Sequence, residues 1–256
     1  MNILLTNDDG IRSPGLLAAR KALEELGKVM VVSPDREYSC IGKAITAGRV
    51  IKVRKTRMAD GKLAYAVSGT PADSVLIALN KLLRRKPRLL ISGINLGPNL
   101  GMDDALDSGT LGAAFEAALR GIPSIAVSYC MVRGEGEELV IDDLSAAAEV
   151  TKRLAESVLK NGMPRGVDVL SVNVPKGFRL GSTPVKVTKL SLKPYRDLHV
   201  EEDGGYIIKS WTLDVYPDDP GSDVEAVKEG ALTITPIKIN FPCKLKGLET
   251  ILRSLQ

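Results

Sequence analysis

The chain has 256 residues, 44% of them hydrophobic and 26% charged, with a formal net charge of +4. That is room for one large domain, or one core with an appendage, and too apolar a composition for disorder. Aromatics at 4% argue against a single-strand nucleic-acid binder, which stacks bases on rings. A single histidine, His199, removes histidine zinc sites and Ser-His or Cys-His nucleophile pairs. Cys40, Cys130 and Cys243 are odd in number and far apart, which fits neither a disulfide framework nor a zinc site. The basic run Lys81 to Arg88 falls where a helix should end before Pro87, a position that favours cations. No segment approaches the ~20 apolar residues of a membrane span, and the first residues do not form a signal peptide. The expectation is a soluble cytoplasmic protein, free of membrane and long nucleic acid, working through oxygen ligands, backbone amides and Lys or Arg.

Asn2 to Leu5 reads as a buried strand. Pro14 to Leu26 follows as a helix, with Leu16, Ala19, Leu23 and Leu26 at helical spacing and Gly27 as its stop. Val29 to Val32 is a second strand, apolar on consecutive positions. Val50 to Val53 and Leu63 to Val67 look like a hairpin inserted between two repeating units, at about 45–67. Thr70, Pro71 and Asp73 supply an N-cap, an N1 proline and a first-turn acid for a helix striped by Val75, Leu76, Leu79, Leu82 and Leu83. Arg88 to Ser92 is a strand, Thr110 to Arg120 a helix, Ile125 to Val127 a strand, Asp142 to Lys160 a helix and Val167 to Val172 a strand. This alternation predicts an α/β fold with a mostly parallel sheet covered on both faces. After about residue 183 helices vanish until a short one at Leu245 to Leu255. The strand-like stretches VKVTKLSL, YIIKSWTLDVY and LTITPIKIN lie between. The chain thus divides into a core at 1–182 and a β-rich extension at 183–256, where strand pairs with little core of their own make assembly with other copies plausible.

In an open parallel sheet, ligands bind beyond the carboxyl ends of the strands. Thr6-Asn7-Asp8-Asp9-Gly10 follows the first strand, Ser33 to Ser39 the second, and Gly93 to Asn99 the strand ending at Ser92. Two adjacent carboxylates, Asp8 and Asp9, repel unless a cation stands beside them. A hard divalent ion held by oxygen would resolve the repulsion, with Ser39 and Asn95 as neutral donors from neighbouring strand ends. Asp-Gly is also ordinary turn chemistry. Ser108, Gly109 and Thr110 open a helix in the manner of an anion site, although either hydroxyl alone could be a cap. Together these features suggest hydrolysis of a phosphate ester by a metal-bound water. Asp8 or Asp9 would take the proton, and Lys43 would offset phosphate charge. An aspartyl-phosphate route is the competitor, but the haloacid-dehalogenase phosphatases that use it carry Asp-x-Asp. A second class of reading is a non-catalytic nucleotide binder or phospho-receiver using the same acidic pair. A receiver, however, needs an acceptor aspartate where this chain has Ser92-Gly93-Ile94-Asn95, and is only about half as long.

The segments LLTNDDGIRSPGL, VVSPDREYS, SGTPADSV, SGINLGPNLG, SGTLGAAFEAALRGIPSIAVS and SVNVP, in that order, closely resemble the survival protein E (SurE) family of metal-dependent nucleotidases. A weaker echo, GSDVEAVKEGALTITPI, extends the likeness to nearly the whole chain. The resemblance implies a Rossmann-like three-layer α/β/α core and one divalent ion per subunit, Mg²⁺ or Mn²⁺. It also implies a 5′-nucleotidase, an acid-phosphatase-like phosphomonoesterase, acting on nucleoside 5′- or 3′-monophosphates, with short polyphosphate trimmed by some members. By motif the metal ligands would be Asp8, Asp9, Ser39 and Asn95. Asn99, Ser108, Gly109 and Thr110 would surround the phosphate, and a homodimer or homotetramer would form through the C-terminal extension. Departures from the family pattern at Arg12, at Cys40 to Lys43 and at Asp107 bear on substrate preference and leave the four proposed ligands intact. His199 lies away from every strand-end motif, within reach of a site only in an assembled oligomer.

Overall fold

A computed structural model describes residues 2–130, 144–192, 199–208 and 219–240. The strands are β1 (Asn2–Thr6), β2 (Lys28–Pro34), β3 (Val53–Arg57), β4 (Leu63–Val67), β5 (Leu89–Leu96), β6 (Ser124–Cys130), β7 (Val169–Pro175), β8 (Val185–Val187), β9 (His199–Glu202), β10 (Gly205–Ile208) and β11 (Leu232–Ile237). The helices are α1 (Pro14–Glu24), α2 (Pro71–Ile77), α3 (Gly101–Asp107), α4 (Gly109–Ala118), α5 (Ser145–Asn161) and α6 (Asp223–Lys228), with a π-helical turn at Ala78–Leu82 after α2. Nine strands form one sheet in the order β3-β4-β2-β1-β5-β6-β7-β11-β8. The pairs from β4 through β2, β1, β5 and β6 to β7 are all parallel.

β5, β6 and β7 read as continuous apolar or small residues because helices cover both sides of them. One core cluster joins Ile3, Leu5, Leu16, Leu23, Ile91, Val127 and Val158, packing α1 and α5 on one face. The other joins Leu4, Val32, Val75, Leu90, Leu111 and Ala126, packing α2 and α4 on the opposite face. This is the three-layer α/β/α arrangement expected. α2 starts where its sequence signals said. The Thr70 hydroxyl accepts from Asp73 N–H, and the Asp73 carboxylate accepts from Thr70 N–H, a reciprocal capping box behind Pro71.

Three features differ from the sequence reading. The hairpin β3–β4 is not a detached insertion, because β4 pairs in parallel with β2 and extends the main sheet. The segment after residue 183 also enters that sheet: β11 lies antiparallel to β7, and β8 pairs with β11. Helix does not vanish there either, since α6 starts at a Ser222 cap whose hydroxyl accepts from Glu225 N–H. Ser222 with Glu225 three residues on is a helix-start pattern that could have found it. Among the described residues only β9–β10 forms a separate two-stranded sheet. The terminal helix expected at Leu245 to Leu255, Cys243, most of YIIKSWTLDVY and the first residues of the helix expected from Asp142 lie outside the described residues.

Candidate metal and phosphate site

Strand order reverses between β1 and β5. β1 leads outward to β2 on one side, and β5 leads to β6 and β7 on the other. The crevice at such a reversal is where open α/β sheets hold ligands. Asp8 and Asp9 leave the end of β1 in a turn closed by Gly10. With φ of +92° and a Cβ position 2.8 Å from the Arg36 carbonyl carbon, Gly10 has neither the dihedral nor the space for a side chain. Buried Asn7 fixes the turn from behind, donating to Gly10 O at 3.1 Å while accepting from the Ser33 hydroxyl. The backbone of β2's exit is tied in as well, through Tyr38 N–H to Asp8 O at 2.9 Å.

Asp8 is 7% exposed and faces the start of α4. Thr110 N–H donates to its Oδ2 at 3.0 Å and the Thr110 hydroxyl to its Oδ1 at 2.5 Å. Gly109 permits this approach, since a Cβ there would stand 2.8 Å from Asp8 Cβ and 3.0 Å from Oδ2. Burial nonetheless drives the Asp8 carboxyl above its ordinary range, against the pull of these hydrogen bonds. Asp9 is pushed up to about 7, first by burial and then by the charges of Asp8 and Glu37. Its hydrogen-bond support is thinner: the Leu96 N–H and, at 3.4 Å, the Ser13 hydroxyl. Among the described residues no Lys or Arg pairs with either acid. A buried and a half-buried carboxylate with a third acid nearby and, among the described residues, no basic partner form an electrostatic deficit that a bound cation would fill.

The neutral donors suit a hard cation. Asn95, at the end of β5, turns its Nδ2 to Gly97 O at 2.9 Å, which leaves Oδ1 as the acceptor for something else. Ser39 is exposed, its hydroxyl donating to Glu37 Oε1 at 2.8 Å, and a hydroxyl that donates can still accept or ligate. Among the described residues no group of three or more His, Cys, Asp and Glu could hold a metal. Two carboxylates with neutral oxygens would suit a hard cation such as Mg²⁺, Mn²⁺ or Ca²⁺.

The residues expected around a phosphate divide. Ser108 caps α4, accepting from Leu111 N–H at 3.2 Å, and Thr110 spends both of its polar groups on Asp8. Among the described residues the Gly109 N–H has no acceptor, so the free donor at this helix start is Gly109's. Asn99 is buried; its Nδ2 donates to the Ser128 hydroxyl at 2.7 Å, and its backbone N–H donates to Asn173 Oδ1 at 3.0 Å. It holds the β5 exit to β6 and β7. Lys43 Nζ lies 2.5 Å from Glu116 Oε2, a carboxylate also paired with Arg120, so its charge is committed within the protein. His199 stands on exposed β9.

Sequence reasoning missed Asp73 and Asp223 as fasteners. Asp73 accepts from Thr46 N–H at 3.0 Å and from its hydroxyl at 2.6 Å, pinning the segment after Ser39 to α2. Fully buried Asp223 accepts from Gly101 N–H at 2.9 Å and Ser191 N–H at 3.1 Å, tying α6 to the start of α3. Asp73 had a local signal in its capping pattern; Asp223 reaches across 122 positions and had none.

A family model described as Survival protein SurE matches residues 3–197. The 5′-nucleotidase SurE of Methanothermobacter thermautotrophicus is 44% identical over 205 residues, 79% of this chain and 77% of its own length. The 5′-nucleotidase SurE of Archaeoglobus fulgidus is 39% identical over 250 residues, covering 96% and 94%. That of Rubrobacter xylanophilus is 40% identical over 262 residues, covering 98% and 97%. Among solved structures, the SurE protein of Aquifex aeolicus aligns with a TM-score of 0.80 at 33% identity, covering all of both chains.

Proposed function

This chain belongs to the survival protein SurE family, and from that premise we propose that it releases phosphate from nucleoside 5′-monophosphates, and from 3′-monophosphates as a second class, under a divalent cation. It is a metal-dependent phosphomonoesterase. The observation that carries the reading is the acid pair at the sheet reversal: Asp8, buried against the start of α4, and half-buried Asp9, with no basic partner for either among the described residues. The phospho-receiver alternative is not favoured. β5 ends Gly93-Ile94-Asn95-Leu96 with no acceptor aspartate, and the curated relatives are named as nucleotidases.

We assign Asp8, Asp9, Ser39 and Asn95 as the residues that would hold the cation, with Mg²⁺ or Mn²⁺ as the fitting ions. When bound, the cation supplies positive charge against the phosphoryl oxygens and acidifies an attacking water. The chain's own groups do the rest. Thr110 holds the Asp8 carboxylate by two hydrogen bonds and makes it a rigid anchor. Asp9, with thinner hydrogen-bond support from the Leu96 N–H and the Ser13 hydroxyl, is the carboxylate we assign as proton acceptor. The free Gly109 N–H, at the positive end of α4, is the donor placed to meet a phosphoryl oxygen, with Ser108 shaping the turn. Asn99 and Lys43 act one layer back, Asn99 through Ser128 and Asn173 and Lys43 through Glu116.

The β9–β10 hairpin pairs with no other described strand and leaves Val200, Tyr206 and Ile207 exposed, which supports assembly as a homodimer or homotetramer through this region. Among the described residues no helix is long and apolar enough to cross a membrane, and Cys40 and Cys130 are free thiols, which supports a cytoplasmic setting.

The test is phosphate release from AMP and GMP by the metal-stripped protein with and without added ion. Release should stop with EDTA and return with Mg²⁺ or Mn²⁺. Full turnover by a folded Asp8→Asn protein would overturn the assignment.

A further inference from the structure

Asp8 faces α4. The opposite face of the sheet, where α1 packs, carries a second hollow of different character. It is a cleft of about 470 Å³ between the first turn of α1 and β3. That volume falls within the range of small-molecule sites, ~300–1,000 Å³. Arg12 enters it from the loop before α1, and Arg54 and Arg57 enter from β3. Among the described residues neither Arg12 nor Arg54 has an ion-pair partner. Arg57 spends one N–H on Gly61 O at 2.6 Å and keeps the rest of its fork. Guanidiniums on two sides of one cleft, with most donors uncommitted, match the oxygens of phosphate groups.

A bland account exists for part of this charge. β3 is the edge of the sheet, and edge strands carry cations that discourage pairing with other chains. That explains Lys55, which strand alternation turns to the other face. It does not explain Arg12, which stands across the cleft on a different element. Two further features define the remainder of a ligand. Ile11, Leu17 and Met58, buried members of the core cluster under α1, give the cleft apolar walls. Asp35, at the exit of β2, lines it with an exposed carboxylate that has no ion-pair partner among the described residues. An ionised carboxylate only accepts hydrogen bonds, so it repels phosphate and suits the hydroxyls of a sugar. The cleft is separate from the acid pair without being remote from it. Ser13, in its wall, caps α1 by accepting from Gly15 N–H at 3.2 Å and donates to Asp9 at 3.4 Å.

We propose that this cleft is a second, non-catalytic site that binds a nucleoside diphosphate without a metal. The phosphates meet Arg12, Arg54 and Arg57, the sugar hydroxyls meet Asp35, and the base lies on the apolar walls.

The experiment is a calorimetric titration of ADP, inorganic pyrophosphate and adenosine into the metal-stripped full chain in EDTA. Without a cation the acid pair repels phosphate, so binding at the catalytic crevice drops out. ADP should bind once per chain, with pyrophosphate and adenosine at least tenfold weaker. Arg12→Ser and Arg54→Ser should each raise the ADP Kd about tenfold, the loss expected for hydrogen bonds to a charged group. Lys55→Ser removes the same charge from the other face of β3 and should leave the Kd within twofold. Should Arg12→Ser fail to fold, Arg54→Ser, at an exposed edge position, decides. The proposal is overturned if wild type does not bind ADP, or if pyrophosphate binds as tightly as ADP. It is equally overturned if Arg54→Ser leaves the Kd unchanged, or if Lys55→Ser weakens binding as much, which would show only a general attraction to a basic edge. The nucleotidase reading is tested separately, with metal present, and stands or falls on that assay alone.

Discussion

Replacing Gly109 by alanine tests the packing of Asp8 against α4, because two effects of opposite sign act on one residue. On propensity alone, alanine in a helix is favoured over glycine by roughly 0.5–1 kcal/mol, so Gly109→Ala should stabilise the fold. The structure argues the reverse. The new Cβ would stand 2.8 Å from Asp8 Cβ, 3.0 Å from Asp8 Oδ2 and 3.1 Å from Ile41 Cγ2. All three neighbours are buried or packed, so α4 and the β1 turn must part by several tenths of an ångström. That movement falls on the 3.0 Å bond from Thr110 N–H to Asp8. Hydrogen bonds to a charged group contribute about 1.5–3 kcal/mol, and overpacking adds about 1–3 kcal/mol of its own. The net expectation is destabilisation by about 2 kcal/mol, a fall in melting temperature of roughly 4–8 °C for a chain of this size. Metal-dependent phosphate release should drop at least tenfold, because Asp8 is displaced. Scanning calorimetry of the metal-free protein and a phosphate-release assay give the two numbers. A melting temperature at or above wild type would refute the reasoning, since it would show that helix propensity outweighs the contact.

Three further outcomes follow from the same geometry. The folded, metal-free protein holds the Asp9 proton up to about 7 against an ordinary value of 3.8, so it binds that proton more tightly than the unfolded chain does. This stabilising contribution is complete below about pH 4 and is lost as pH rises through 7. Metal-free melting temperatures should therefore fall over that window more steeply in wild type than in Asp9→Asn, and saturating Mn²⁺ at pH 8 should restore the wild type. Lys43→Met should lower the melting temperature by only about 2–4 °C, roughly 1 kcal/mol, because Lys43 is partly exposed and Arg120 stays on Glu116. Its KM for ribose 5-phosphate should stay within twofold; a tenfold rise would place the lysine on the phosphate. Asp223→Ala orphans the N–H groups of Gly101 and Ser191 at about 1–3 kcal/mol each, so a fall of roughly 4–24 °C is expected by calorimetry.

What the sequence revealed and what it hid divide along the distance over which each interaction acts. The alternation of strands and helices, the Thr70-Pro71 start of α2 and the acid pair after β1 are local patterns, and each stands where the residues placed it. The strand-end rule then located Asp8, Asp9, Ser39 and Asn95 on one edge without any contact being known. The chain does not announce contacts between residues far apart. Asn173 holding Asn99, Glu116 holding Lys43 and Asp223 holding Gly101 are single polar groups whose meaning depends on the partner that folding brings. For the same reason Thr110, legible as a phosphate group or a cap, serves as a clamp on Asp8. The last strands misled because short β segments look alike whether they form an arm or complete a sheet, and β11 completes one.

The place of β11 bears on how the protein is made. A ribosome releases Asp8, Asp9 and Asn95 early, and β7 by Pro175, but the strand that covers the open edge of β7 begins only at Leu232. At about 5–20 residues per second, those 56 intervening residues take roughly three to eleven seconds to emerge. For that interval the nascent chain presents β7, buried at all seven positions in the finished sheet, as an unpaired edge. The Asp223 clamp on Gly101 arrives in the same late stretch. The proposed metal ligands are thus synthesised first and the sheet around them completed last, and a chain halted near residue 200 would carry all of them on a scaffold prone to pair with its neighbours.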